Sequence, residues 1–201
     1  MYKKIFYIFI IISSALKADD WPGWFGPERD GVWREEGILD KFPQKGPKTI
    51  WKAPVGRGYA GPAVADGKVY IMDRQIDKGA KSPENPFSKI TIPGNERLLC
   101  LDAKNGKIIW EKSYNCPYSI SYSAGPRTTP LIDENRVYTI GAEGNLYCRS
   151  TSDGKEIWST DFNTAFNVKT PTWGFSSTPL IYENLLICLA GGEGTVAVAF
   201  N

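Results

Sequence analysis

Histidine is absent from the 201-residue sequence. This absence excludes histidine-dependent catalytic triads, histidine-ligated zinc sites and the C-x-x-C-H attachment of a c-type haem from this stretch of chain. Neither a Gly-rich phosphate loop that leads into a helix nor a nucleophilic serine turn is present. Apolar residues make up 42% of the chain and aromatic residues 13%, so a hydrophobic core can form.

Long hydrophobic runs are also lacking. The longest, residues 5–12, follows Lys3 and Lys4 and precedes small residues at 13–15. It is far shorter than the ~20 apolar residues that a membrane-spanning helix needs. The pattern therefore predicts a secretory signal peptide over residues 1–18, export to the periplasm or cell envelope, and no transmembrane helix in the mature chain.

The chain has little excess charge once this segment is removed. Residues 1–18 hold three lysines and no acid, so the formal net charge falls from +2 to −1. A nucleic-acid-binding domain needs a basic surface to neutralise phosphates. Nucleic acid is therefore not expected as a partner.

What the sequence does have is a repeat, seen by comparing ERLLCLDAKNGKIIW with GNLYCRSTSDGKEIW. Four landmarks recur 48 residues later: Cys100 and Cys148, Gly106 and Gly154, Lys107 and Lys155, and Trp110 and Trp158. Short β-branched and aromatic runs alternate with turn residues, and no long helical period follows residue 18. A repeat of this length with four short strands predicts an all-β fold, a β-propeller of four-stranded blades.

The landmark residues have a structural interpretation. A glycine between two strands adopts a positive φ at little steric cost. A tryptophan two positions beyond the apolar pair can lie between neighbouring blades and bury a large area. We therefore predict a blade-docking role, and no catalytic one, for Trp51, Trp110, Trp158, Gly106 and Gly154.

Several segments resemble a known family. LDAKNGKIIW, GPRTTPLID and WGFSSTPLI are similar to the repeats of the PQQ-like (pyrroloquinoline-quinone repeat) β-propellers. That family includes quinoprotein alcohol dehydrogenases and the outer-membrane assembly factor BamB. The resemblance covers about residues 20–201 and implies a ring of seven or eight blades. Three to four such blades fit in this chain, which we therefore interpret as the N-terminal half of a longer protein, or as a chain that pairs with a second one.

The resemblance suggests three regions. Residues 1–18 are the signal peptide, residues 19–50 a Trp/Pro/Gly-rich latch onto the propeller, and residues 51–201 the blades. Within the latch, DWPGWFGP is aromatic enough for sugar binding, although packing of the N-terminus is the simpler interpretation. About 20 extra residues at 73–96 predict a surface loop, which either covers the mouth of the ring or is a solvated insertion.

Candidate ligand-binding residues precede the innermost strand of each blade. They lie in RGYAGP at 57–62, YSAGPR at 122–127 and WGFSSTP at 173–179. These turns would crowd the mouth of a propeller, where Trp173 could stack a flat ligand and Arg127 could hold an anion. Alternatively, each aromatic residue packs against the next blade and Arg127 pairs with a carboxylate.

The resemblance implies two functions. One is an exported, non-catalytic scaffold without a cofactor, similar to BamB, whose partners are proteins of the outer-membrane β-barrel assembly machinery or unfolded β-barrels. The other is a dehydrogenase dependent on PQQ and calcium, whose metal ligands lie in the C-terminal half. Many such enzymes carry two adjacent cysteines, whereas Cys100, Cys116, Cys148 and Cys188 are isolated. We predict small buried side chains at these positions, with two disulfides as the alternative.

Overall fold

The structure is a computed structural model that describes residues 19–201. The predicted signal peptide, residues 1–18, lies outside the described residues. Within residues 19–201, no helix is long and apolar enough to span a bilayer.

The described chain forms three antiparallel sheets. The first has the order β1-β2-β3-β4, with β1 Ala63–Ala65, β2 Lys68–Ile76, β3 Gly94–Asp102 and β4 Ile108–Asn115. The second has the order β5-β6-β7-β8, with β5 Leu131–Asp133, β6 Arg136–Ile140, β7 Asn145–Ser150 and β8 Glu156–Asp161. The third contains β9 Leu180–Tyr182, β10 Leu185–Gly192 and β11 Thr195–Phe200.

The first two sheets repeat each other in detail. Each is a meander of neighbouring antiparallel strands, and each has a register shift one residue after its repeated cysteine, at Cys100/Leu101 and at Cys148/Arg149. One short helix, α1 Phe162–Ala165, follows β8 and is capped by Asp161, whose side chain accepts from the Thr164 amide. The sequence pattern did not predict this single turn.

The hydrophobic core lies between neighbouring sheets. Buried residues of the first sheet, such as Met72 and Leu98, cluster with Ile132 and Val137 of the second. A second cluster joins the other side of the second sheet to the third, and includes Leu146 and Cys188. Packing of successive four-stranded antiparallel sheets face to face is the arrangement of propeller blades. The predicted fold class is confirmed.

The meander gives the blades two distinct ends. We call one the glycine-turn end; it holds the turns after β1, β3, β5 and β7, with Gly106 and Gly154. We call the other the mouth end; it holds the segments 57–62, 77–93, 116–130 and 166–179, which enter the first strands or join the second strand to the third.

At the glycine-turn end, tryptophans join consecutive sheets. Trp51 donates its indole N–H to the Ala103 carbonyl at 2.8 Å, and Trp110 donates to the Thr151 carbonyl at 3.1 Å. Both glycines have positive φ, 69° each. A Cβ on Gly106 would lie 2.5 Å from the Trp51 ring, and one on Gly154 would lie 2.7 Å from the Trp110 ring.

Trp158 differs from these two. It is half-buried, and its ring stacks on Phe200 of β11 with ring centroids 5.5 Å apart. All three tryptophans thus lie against neighbouring structure, while the stability that each contributes stays a prediction.

The N-terminal segment is attached to the blades at its beginning. Trp21 exchanges two backbone hydrogen bonds with Val64 of β1, at 2.8 and 2.9 Å, and Ile132 of β5 donates to the Pro22 carbonyl at 2.8 Å. Beyond this point the segment is irregular, and large side chains such as Trp33 and Phe42 are exposed. The backbone attachment of the segment is therefore made by residues 21–22, and the boundaries predicted for the latch stay a prediction.

The insertion is narrower than the predicted segment 73–96. Residues 73–76 belong to β2 and pair with residues 94–97 of β3, so the irregular loop comprises residues 77–93. The first of the extra residues extend the β2–β3 hairpin, and strand pairing therefore continues as far as Ile76 and Gly94. The loop lies against the mouth end: Tyr122 donates its amide hydrogen to the Pro86 carbonyl at 2.7 Å, and Lys89 donates to Thr172 at 3.0 Å.

Candidate functional site: the mouth groove

Three adjoining cavities form an open groove at the mouth end. The central one, of about 280 Å³, is lined by Tyr59, Tyr122, Arg127, Trp173 and Ser176. A cavity of about 160 Å³ shares Tyr59 and Tyr122 with it, and another of about 340 Å³ shares Arg127 and Ser176. Because the cavities share walls, we describe them together as the mouth groove.

The groove extends beyond the three turns that the sequence singled out. On one side it reaches Arg57, Ser123 and Ala124, together with Ser82, Pro83 and Pro86 of the 77–93 loop. On the other it reaches Trp24, Arg29, Thr129, Ser177 and Thr178. The inserted loop and the N-terminal segment therefore form its two ends.

Exposed aromatic rings line the groove. Tyr59, Tyr122 and Trp173 are 53%, 39% and 61% exposed, and each comes from a different turn. Tyr59 is held by its amide, which donates to the Pro126 carbonyl at 2.7 Å. Tyr122 has a left-handed backbone, with φ 52°, and its ring meets that of Phe87 edge to face at 5.2 Å. A non-glycine residue in this conformation costs free energy, so the surrounding contacts must hold it there.

Arg127 lies beside Trp173, as the proposed site requires, but its guanidinium is largely engaged. It donates to the backbone carbonyls of Gly125, Ser121 and Tyr122. Its centre lies 5.2 Å from the Tyr59 ring, and burial lowers its pKa. Within residues 19–201 it forms no salt bridge, so the pairing with a carboxylate is not observed. Arg127 contributes positive charge with few free donors, and its contact with an anion stays a prediction.

Two other arginines keep their donors freer. Arg57 is exposed, and its side chain makes no hydrogen bond or salt bridge to the described residues. Arg29 is exposed too, with one long contact of 3.4 Å to the Pro179 carbonyl. Among the described residues, no aspartate or glutamate lines the three cavities. The groove is therefore aromatic and positively charged.

A buried polar cluster supports the groove from below. Glu96 on β3 is fully buried; its carboxylate accepts from the hydroxyls of Tyr114 and Tyr118 and from the Ala142 amide at 2.9 Å. Since Ala142 belongs to the turn between β6 and β7, these bonds link the first blade to the second. Burial raises the pKa of Glu96, while the hydrogen bonds and the charge of Arg74 oppose the rise.

Arg74 lies above the Tyr118 ring, with its guanidinium carbon 3.8 Å from the ring centroid. It is buried and donates to the carbonyls of Ile92 at 2.6 Å and Ser123 at 3.2 Å, so it fixes the chain that carries Tyr122. A cation over an aromatic face in a desolvated setting is stabilising by up to about 2 kcal/mol. The cluster thus positions the mouth turns rather than binding a ligand itself.

Sequence reasoning missed this cluster, although a signal was present. Glu96 stands two residues before Leu98 and four before Cys100, on the face of β3 that is buried. A carboxylate that shares a strand face with buried apolar residues is expected to be buried too, and a buried carboxylate needs hydrogen-bond or charged partners. The buried Asp73, which accepts from Arg97 at 2.6 and 2.9 Å, was missed for the same reason.

The described residues do not form a calcium site of their own, and the PQQ alternative places its metal ligands in the C-terminal half. In the part of the chain that the structure describes, no group of three or more acidic, histidine or cysteine side chains converges on one point. Glu96, the buried carboxylate beneath the groove, already accepts three hydrogen bonds. Calcium needs six to eight oxygen ligands. Trp173 supports the PQQ alternative to this extent: it presents an exposed face on which a flat ligand could stack.

The four cysteines are buried and free within residues 19–201. Burial raises the pKa of Cys100 to about 11 and that of Cys188 to about 12. Thiols with such values are almost fully protonated at neutral pH and are poor nucleophiles. Their environment is that of small apolar core residues, as predicted.

Comparisons with known proteins agree with this fold. A family model described as outer membrane protein assembly factor BamB matches residues 94–201. A quinohemoprotein alcohol dehydrogenase from Comamonas testosteroni has a similar fold, with a TM-score of 0.53 and 17% identity over 84% of this chain and 22% of its own. No curated protein sequence matches the chain.

Two further solved structures match the chain at lower scores. BamB from Moraxella catarrhalis has a TM-score of 0.35 and 13% identity over 69% of this chain and 42% of its own. A quinohemoprotein alcohol dehydrogenase from Pseudomonas putida has a TM-score of 0.42 and 19% identity over 69% of this chain and 18% of its own. The chain therefore spans about a fifth of the dehydrogenases and less than half of BamB.

The family match covers more than half of the chain, and the repeated blades account for it structurally. The chain belongs to the PQQ-like β-propeller family whose model is described as outer membrane protein assembly factor BamB.

Proposed function

We propose that the chain is an exported, non-catalytic scaffold that binds other proteins through the mouth groove. The observation that carries this proposal is the exposure of Tyr59, Tyr122 and Trp173 on three successive turns of a packed sheet framework. Aromatic residues provide large contact areas and lose little side-chain entropy on binding, and they are enriched at interaction hot spots.

The setting of these rings supports binding of a macromolecule. The groove is open along its length, and its walls come from rigidly hydrogen-bonded turns such as that held by Arg74. Rigid presentation lowers the entropic cost of association. The resemblance to BamB makes components of the outer-membrane β-barrel assembly machinery, or unfolded β-barrels, the partners to test first, in the periplasm or cell envelope.

The experiment is site-specific photocrosslinking in the cell envelope of a Gram-negative host. A photoreactive phenylalanine analogue replaces Tyr59 in the groove or, as the control, exposed Lys104 at the glycine-turn end. The proposal expects discrete protein adducts from position 59 that disappear when Trp173→Ala is added, and none from position 104. Equal labelling from both positions, or none from either, would contradict it.

A dehydrogenase that uses PQQ and calcium is the second candidate, favoured by the exposed face of Trp173. When bound, PQQ would supply the oxidising quinone; the residues of this chain would contribute only stacking by Trp173 and positive charge from Arg127. The test is a titration with PQQ and calcium, followed by melting temperature and tryptophan fluorescence. We expect a melting shift below about 1 °C at concentrations well above micromolar. A saturable rise, with quenching that Trp173→Ala abolishes, would favour the enzyme.

A further inference from the structure

We infer that the mouth groove binds an extended acidic polypeptide segment that carries an aromatic side chain. This inference rests on the proposed function and specifies the chemistry of the partner. It follows from the charges and the rings of the groove.

Charge is distributed along the whole groove. Arg57 lies in one end cavity, Arg127 in the centre and Arg29 in the other end cavity, while no acidic residue lines any of them. By contrast, the cavity of about 390 Å³ beside Trp158 contains Asp133 and Glu183 next to Arg136. Because arginines and no carboxylates are among the lining residues, the surface of the groove favours an acidic segment over a basic one.

The rings lie between these charges. Tyr59 and Tyr122 line both the Arg57 cavity and the central one, and Trp173 and Arg127 also line the central cavity. An aromatic side chain of the partner can therefore pack against them while acidic residues before and after it meet the arginines at the two ends. Aromatic pairs contribute about 0.5–1.5 kcal/mol beyond their buried area.

The shape of the groove favours a polypeptide over a small anion. Its three cavities run from the 77–93 loop to the N-terminal segment and share walls without a lid. An enclosed small-molecule site buries most of its ligand, whereas this surface leaves one side of the ligand in solvent. An extended chain gains from this geometry because it contacts all three cavities at once.

The test uses purified protein and a fluorescein-labelled octapeptide, DEFDEYDE, with its ends blocked, followed by fluorescence anisotropy. Two control peptides have the same length: KKFKKYKK reverses the charge, and DEADEADE removes the rings. We expect saturable binding of the first peptide only, and at least a tenfold weaker affinity at 0.5 M salt because the arginines are solvent-accessible.

Variants identify the site. Arg57→Ala together with Arg29→Ala, and separately Trp173→Ala, should each weaken the first peptide's binding at least tenfold, whereas Arg136→Ala should leave it unchanged. Circular dichroism and melting temperature establish that each variant is folded. Equal binding of all three peptides, equal loss in every variant, or no binding would overturn the inference. Discrete crosslinks from position 59 without binding of DEFDEYDE would overturn this inference and leave the proposed function standing.

Discussion

At the glycine-turn end, Trp51 and Trp110 make the same contacts one repeat apart, each with its indole N–H on a turn carbonyl and its ring over a glycine. The mouth end is built from contacts of a different kind. Glu96 accepts hydrogen bonds from two tyrosine hydroxyls and from a turn of the next blade. Phe87 of the inserted loop packs edge to face against Tyr122. The repeated end holds tryptophans that pack and hydrogen-bond against the next sheet, while the mouth end has exposed rings and arginines with free donors. This difference leads us to assign stability to one end and binding to the other.

The largest effect should come from the repeated end. Trp110→Ala removes a 9%-exposed ring between two blades, and we expect a loss of about 3–5 kcal/mol in the free energy of unfolding, measured by chemical denaturation. Ile109→Ala is the control, because Ile109 precedes it on β4 and is 48% exposed. A loss below about 1 kcal/mol for Trp110→Ala would show that the docking contact is not structural.

A smaller effect should follow from the glycine beneath that ring. Gly154→Ala combines a left-handed backbone with a Cβ only 2.7 Å from the Trp110 ring. We therefore expect the free energy of unfolding to fall by about 3 kcal/mol. Gly67→Ala has nearly the same φ, 70°, and nothing within 4 Å of its Cβ, so about 1 kcal/mol is expected. The difference between the two variants isolates the contact with the ring; equal losses in thermal or chemical denaturation would refute it.

The mouth end should respond to pH. Because burial raises the pKa of Glu96 above its ordinary 4.5, the folded state binds this proton more tightly than the unfolded state. The associated stability is present below pH 4.5 and is lost as pH rises through the folded-state value. The free energy of unfolding of Glu96→Gln should therefore rise relative to that of the native protein as the pH is raised from 4 to 8.

Denaturation curves at several pH values check this prediction. Glu134→Gln, at an exposed turn, controls for the loss of one negative charge. The account would be contradicted if the difference in free energy of unfolding between Glu96→Gln and the native protein stayed constant with pH, or if it changed in favour of the native protein as the pH rose.

The same contrast explains what could be predicted from the sequence. The sequence contains two copies of the blade pattern, marked by Cys100 and Cys148 and by the glycine and tryptophan that follow each of them. Comparison of the copies indicates four strands and their turns. That Tyr59, Tyr122 and Trp173 line one cavity depends on the fold. Their location at the mouth could be predicted because each precedes the innermost strand of a blade. Glu96 and Arg74 have no second copy, and several of their partners, such as Tyr118 and Ser123, lie in loops whose paths local patterns do not encode. The short helix 162–165 and the true extent of the 77–93 loop escaped prediction for this reason.

The most direct test of the division between the two ends is one paired measurement on Trp173→Ala and Trp110→Ala. Each variant is compared with the native protein for its free energy of unfolding and for crosslinking from position 59. Because Trp173 is 61% exposed, its loss should change stability by less than about 0.5 kcal/mol and abolish the adducts. Trp110→Ala should cost about 3–5 kcal/mol, and molecules that remain folded should still form the adducts. A Trp173→Ala protein that keeps its adducts, or that loses stability as Trp110→Ala does, would contradict the account.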